Sequence, residues 1–177
     1  MLHVRAEFFG TLALLPLLLN LYAVRRQYLP AVAPLATSVM ILAIWGVTTH
    51  MERSFAPPQA YFFHWCIDLV AMIACGWLGK TQKLKFAIIL AVLYGLQVVS
   101  NAAYLVAVAL GEGAVSTTPH SANIIDPTTY RYKTLINAVF LLQLVASGAE
   151  GVRYVGGDLR SWWSRRGWFR RHMDVRG

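Results

Sequence analysis

The residues able to do chemistry are few, and they sit inside apolar runs. His64-Trp65-Cys66-Ile67-Asp68 sets an imidazole and a carboxylate four positions apart, about 40° from each other on a helix, where Ala71 and Cys75 continue the face. A second run carries Tyr94, Gln97, Ser100, Asn101 and Tyr104, and a third carries Gln143, Ser147, Glu150 and Tyr154; spacings of three, four and seven hold each set on one side of its helix. Counting from the middle of each run puts Asp68, Gln97 and Gln143 near one depth, His64 and Asn101 outward of it, and Glu150 inward.

Two chemistries fit this pattern. Ionisable groups within an apolar span are costly and face protein or water, so His64, Asp68, Gln97, Asn101, Gln143 and Glu150 are candidates to line a pore or a proton relay. Alternatively the amides and hydroxyls join helices by hydrogen bonds of about 0.6–2 kcal/mol each, with Asp68 neutral or paired with His64. A weaker alternative gathers His50, Glu52, His64 and Asp68 as metal ligands of suitable type, or uses two of the histidines on haem. Their spacing matches no ligand signature, and the expectation is no metal and no cofactor. Cys66 and Cys75 project about 180° apart and roughly 13 Å along one helix, beyond disulfide reach. No Cys-x-x-Cys, phosphate-binding glycine loop, Gly-x-Ser-x-Gly or His-Glu-x-x-His pattern occurs, so no enzyme is expected.

The elements that must position these groups follow from composition. With 57% hydrophobic and 14% charged residues over 177 positions and a mean hydropathy of +0.50, the chain has too little polar surface for a soluble core. An all-α, polytopic transmembrane bundle of five spans is expected, near 8–24, 29–48, 60–78, 86–110 and 134–154. The first lacks a small-x-small cleavage pattern and is read as a retained helix rather than a signal peptide; a four-span version would begin at Leu29. Arg25-Arg26-Gln27 and Lys80-Thr81-Gln82-Lys83 read as tight turns, Pro57-Pro58-Gln59 as a rigid turn, and Gly111–Lys133 as a long outer segment.

Net charge is +8, from 16 Lys and Arg against 8 Asp and Glu. Twelve of the 16 fall on one side of the five-span arrangement, which predicts N-out and C-in and makes the charge a record of orientation rather than of nucleic-acid binding. Two units are expected: a bundle over 1–155, and a basic, Trp-rich cytoplasmic tail over 156–177. In that tail Arg160, Trp162, Trp163, Arg165, Arg166, Trp168, Phe169, Arg170 and Arg171 form an interfacial anchor for anionic lipid.

In gross architecture the chain resembles the phage holins: small, with an odd number of spans, a short outer N-terminus and a basic inner tail. The resemblance implies a bacterial inner-membrane protein that homo-oligomerises and lines a lesion with the polar faces of spans three to five. The alternatives are a small proton-coupled transporter or relay using Asp68 and His64, and a non-catalytic subunit of a larger membrane complex.

Overall fold

The computed structural model describes residues 6–55, 57–110 and 127–173, with the side chains of 6–10, 53, 57, 58, 127, 129 and 164–173 outside the description. Within these residues the expected all-α architecture holds, with no strand. Helix α1 spans Ala6–Arg25, a 3-10 turn at Leu29–Ala31 leads into α2 (Val32–Ser54), and α3 (Pro57–Thr81), α4 (Lys85–Ala109) and α5 (Pro127–Met173) follow. Four stretches, Leu29–Glu52, Gln59–Thr81, Lys85–Ala109 and Tyr130–Trp163, are long and apolar enough to cross a bilayer, and Thr11–Arg25 of α1 is apolar but shorter. The chain is a multi-pass membrane protein.

Both basic turns form where expected, each through a non-glycine residue in left-handed conformation, Gln27 at φ 62° and Lys83 at φ 53°. After α1, the Gln27 amide donates to the Val24 carbonyl at 2.8 Å and the Tyr28 amide to that of Ala23 at 3.0 Å. This paired closure satisfies two carbonyls that the helix end leaves open.

Two expectations change. Pro57 and Pro58 are not a separate turn but the first two residues of α3, where a proline sacrifices no intrahelical donor. Residues 127–133, assigned to the outer segment, belong to α5; the rest of that segment, 111–126, lies outside the described residues. The expected tail, as far as Met173, is helical and continuous with the fifth span through Gly156, Gly157 and Gly167. A helical glycine costs only about 1 kcal/mol against alanine, too little to break a rod that its neighbours support.

The α3–α4 hairpin is the most extensive pairing; α1 packs on α2 and α5, α4 on α5, and α2 on both α3 and α5. The α2–α5 contact divides the bundle into an α1–α2–α5 compartment and an α2–α3–α4–α5 compartment. At mid-bundle Ala13, Ile41, Ala71, Cys75, Leu90 and Leu144 form an apolar plug. Outward, Val70, Ile73, Val92, Val99 and Val145 are exposed, as a lipid-facing surface requires. Pro16 does not interrupt α1; its ring lies against Gly148 of α5, where an added Cβ would come within 3.1 Å of it.

Candidate functional site

All four helices of the second compartment contribute polar groups to one cavity of about 230 Å³, toward the end where α2 and α4 finish and α3 and α5 begin. From α3 come His64 and Asp68, from α4 Tyr94, Gln97 and Asn101, and from α5 Tyr132 and Gln143. All seven are buried. Helix α2 supplies Ile41, Ile44, Trp45, Thr48, Thr49 and Glu52, a face repeating at three and four residues.

The cavity wall is tied by hydrogen bonds between helices. Asn101 donates from Nδ2 to Asp68 Oδ2 at 2.8 Å and accepts at Oδ1 from the Tyr132 hydroxyl, so one amide joins α3, α4 and α5. Deeper, Gln143 Nε2 donates to Gln97 Oε1 at 2.8 Å. The expected meeting of Asp68, Gln97 and Gln143 therefore occurs around a single cavity, with Asn101 as its hub. The expected Asp68–His64 pair does not form: His64 donates from Nε2 to the Thr48 carbonyl of α2 at 3.2 Å, while Asp68 takes Asn101. Four residues apart on one helix, the two side chains share a face but turn to different neighbours.

An aromatic cluster closes the wall on the outer side. The rings of Tyr104 and Tyr132 stack at 4.3 Å and 14°, and Tyr61 meets both edge-on at 4.8 and 5.4 Å. Glu52 and Lys133 line the cavity while remaining exposed, so they mark its mouth. At the inner end the Gln97–Gln143 pair and the apolar plug close it.

One group inside lacks a partner. Tyr94 is 1% exposed, lines the cavity, and its hydroxyl has no hydrogen bond among the described residues. A buried hydroxyl without a protein partner costs about 1–3 kcal/mol, a cost relieved by a water molecule or by any polar group that enters the cavity.

Not every expected lining residue is here. Glu150 lies at the opposite, basic end, accepting from the Tyr28 hydroxyl at 3.3 Å and standing 3.9 Å from Arg153. The metal alternative also separates: His50 is exposed and faces Ser54 Oγ at 3.4 Å, and among the described residues no three His, Cys, Asp or Glu side chains gather as ligands. In the tail Arg160, Trp162 and Trp163 are exposed, the two indoles edge-to-face at 5.5 Å; the side chains of Arg165, Arg166, Trp168, Phe169, Arg170 and Arg171 lie outside the described residues.

Sequence reasoning missed several groups. Tyr132 was hidden inside a supposed loop, although Asp126-Pro127 is a helix-start signal and Tyr132, Ile136, Val139 and Gln143 keep helical spacing. Asn20 was overlooked within an apolar run. It donates from Nδ2 to Ser38 Oγ at 3.0 Å and to the Ser147 carbonyl at 2.8 Å, binding α1 to α2 and α5. Thr48 offered no signal, since it acts through its carbonyl. No family model, curated protein or solved structure matches this chain, so its chemistry is read from the geometry above.

Proposed function

We propose that this protein binds a small organic cation inside the bilayer, in the cavity around Asp68, and passes it or a proton toward the membrane interior. The observation that carries this reading is the buried Tyr94 hydroxyl, left without a partner in a cavity that also holds Asp68. Two carboxylates, Asp68 and Glu52, line the space against one ammonium, Lys133, at its mouth. Trp45, Tyr94, Tyr132 and Phe140 put aromatic side chains on its lining, and a ring face attracts a cation by about 0.5–2 kcal/mol. An intramembrane carboxylate is stabilised by a cation or a proton, and either partner makes Asp68 the centre of the site.

The polar faces expected to line an oligomeric lesion are turned inward within one chain, which favours the transporter or relay reading over the holin-like one. Orientation is part of the proposal. Arg25, Arg26, Lys80, Lys83, Lys85, Arg153 and Arg160 cluster at the end away from the mouth, and the positive-inside bias then opens the cavity outward.

Benzylammonium is a suitable probe, with an aromatic body and one ammonium. Titration calorimetry on the detergent-solubilised chain should detect binding that Asp68→Asn weakens at least tenfold. Proteoliposomes containing a pH-sensitive dye should show proton flux that the same substitution abolishes. Equal binding and equal flux in the wild type and Asp68→Asn would refute the reading.

A further inference from the structure

At the basic end of the bundle, α1 and α5 run parallel and leave a second, unrelated recess between them. Their register is set by Pro16 against Gly148, Asn20 against Gly151, and Tyr22 beside Tyr154. Beyond these contacts a pocket of about 460 Å³ is lined by Tyr22, Arg26, Tyr154, Asp158, Leu159 and Trp162. It adjoins a groove of about 280 Å³ whose walls are Leu15, Leu18, Leu19, Val155 and Leu159. The two share Tyr22, Asp158 and Leu159, so one ligand can occupy both.

We propose that this recess binds one phospholipid whose headgroup joins a phosphate to an ammonium, the chemistry of phosphatidylethanolamine. The Asp158 carboxylate, which accepts from the Tyr22 hydroxyl at 3.2 Å, lies among the rings of Tyr22, Tyr154 and Trp162. An anion beside aromatic faces suits an ammonium. Arg26 stands one turn beyond Tyr22, its guanidinium 5.5 Å from the centre of that ring, and remains exposed; its fork matches a phosphate. The groove runs from this charged pair toward the hydrocarbon and takes an acyl chain.

The charge pattern separates this ligand from its neighbours in chemistry. An anionic lipid without an ammonium satisfies Arg26 but meets Asp158, and free phosphoethanolamine leaves the leucine groove empty. The recess shares no residue with the cavity around Asp68, and the proposal stands independently of the cation reading.

Native mass spectrometry of the full chain in dodecyl maltoside tests it, with phosphatidylethanolamine, phosphatidylglycerol of identical acyl chains, and phosphoethanolamine as the three probes. One phosphatidylethanolamine should be retained with about tenfold preference over phosphatidylglycerol, a ratio expected of one ammonium site formed by a carboxylate and rings. Asp158→Asn should erase that preference. Arg26→Gln, at an exposed position, should lower retention of both lipids. Equal retention of the two lipids by the wild type, an unchanged preference in Asp158→Asn, or phosphoethanolamine binding as tightly as the lipid would each overturn the proposal.

Discussion

Gly151→Ala should destabilise the bundle although alanine is the better helix former. The added Cβ would stand 2.8 Å from Asn20 Oδ1, 2.9 Å from the Asn20 nitrogen and 2.9 Å from the Leu19 carbonyl carbon. Two of these neighbours are backbone, so no rotamer change relieves the contact and α1 must move away from α5. Overpacking of this kind costs about 1–3 kcal/mol. The shift also strains the bonds from Asn20 to Ser38 and Ser147, which average about 0.6 kcal/mol each in membrane proteins. Against this stands a gain of about 1 kcal/mol in helix propensity, leaving a net loss of about 1–3 kcal/mol. Gly46→Ala is the control, because a Cβ there meets nothing within 4 Å and only the propensity gain of about 1 kcal/mol remains. Titration with sodium dodecyl sulfate from mild-detergent micelles, followed by far-ultraviolet circular dichroism, should place the two variants on opposite sides of the wild type. If Gly151→Ala proves as stable as Gly46→Ala, the assigned close approach of α1 and α5 is wrong. Asn20→Ala should recover only part of the loss in the Gly151→Ala background, since the backbone contacts persist.

The amide pair deep in the cavity should behave as a unit. Gln97→Leu and Gln143→Leu each strand a buried carboxamide, and the double variant should lose less than the two losses combined, with a coupling of about 1 kcal/mol in the same unfolding assay; strict additivity would show that the pair is not formed. The two thiols should differ in reactivity: Cys66 is partly exposed and Cys75 buried, so N-ethylmaleimide followed by peptide mass spectrometry should find Cys66 modified at least tenfold faster, and equal rates would contradict the described packing of α3.

The features legible in the sequence were those carried by residue type at regular spacing. Asp68, Gln97, Asn101 and Gln143 stand out because polar groups are rare in apolar spans and must find protein partners, and helical periodicity placed them on facing sides. Partner choice was not legible. A period of 3.6 puts His64 and Asp68 on one face, but whether they bond to each other depends on what α2 and α4 present at that depth, and Thr48 presents a backbone carbonyl that every residue owns. Glu150 shows the other limit. Its phase on α5 is continuous with that of Gln143, yet seven residues along the axis, roughly 10 Å, carry it out of the cavity and into the tyrosines at the basic end. The extent of α5 was lost for a third reason: Thr, Tyr, Arg and Lys at 128–133 look like loop composition, and only the Asp-Pro start signal and the later apolar face argue otherwise.

The unbroken length of α5 gives the molecule a mechanical property. Its 47 residues make a rod of about 70 Å, more than twice the roughly 30 Å hydrocarbon thickness it crosses. One part of that rod holds Tyr132 and Gln143 against the cavity, and a later part holds Tyr154 and Asp158 in the recess with α1. Between the two, Gly148 and Gly151 hold α5 close against α1, about 24 Å along the axis from Tyr132 and roughly 10 Å from Asp158, given 1.5 Å of rise per residue. Cavity and recess are thus built on one uninterrupted helix, with no intermediate loop between them.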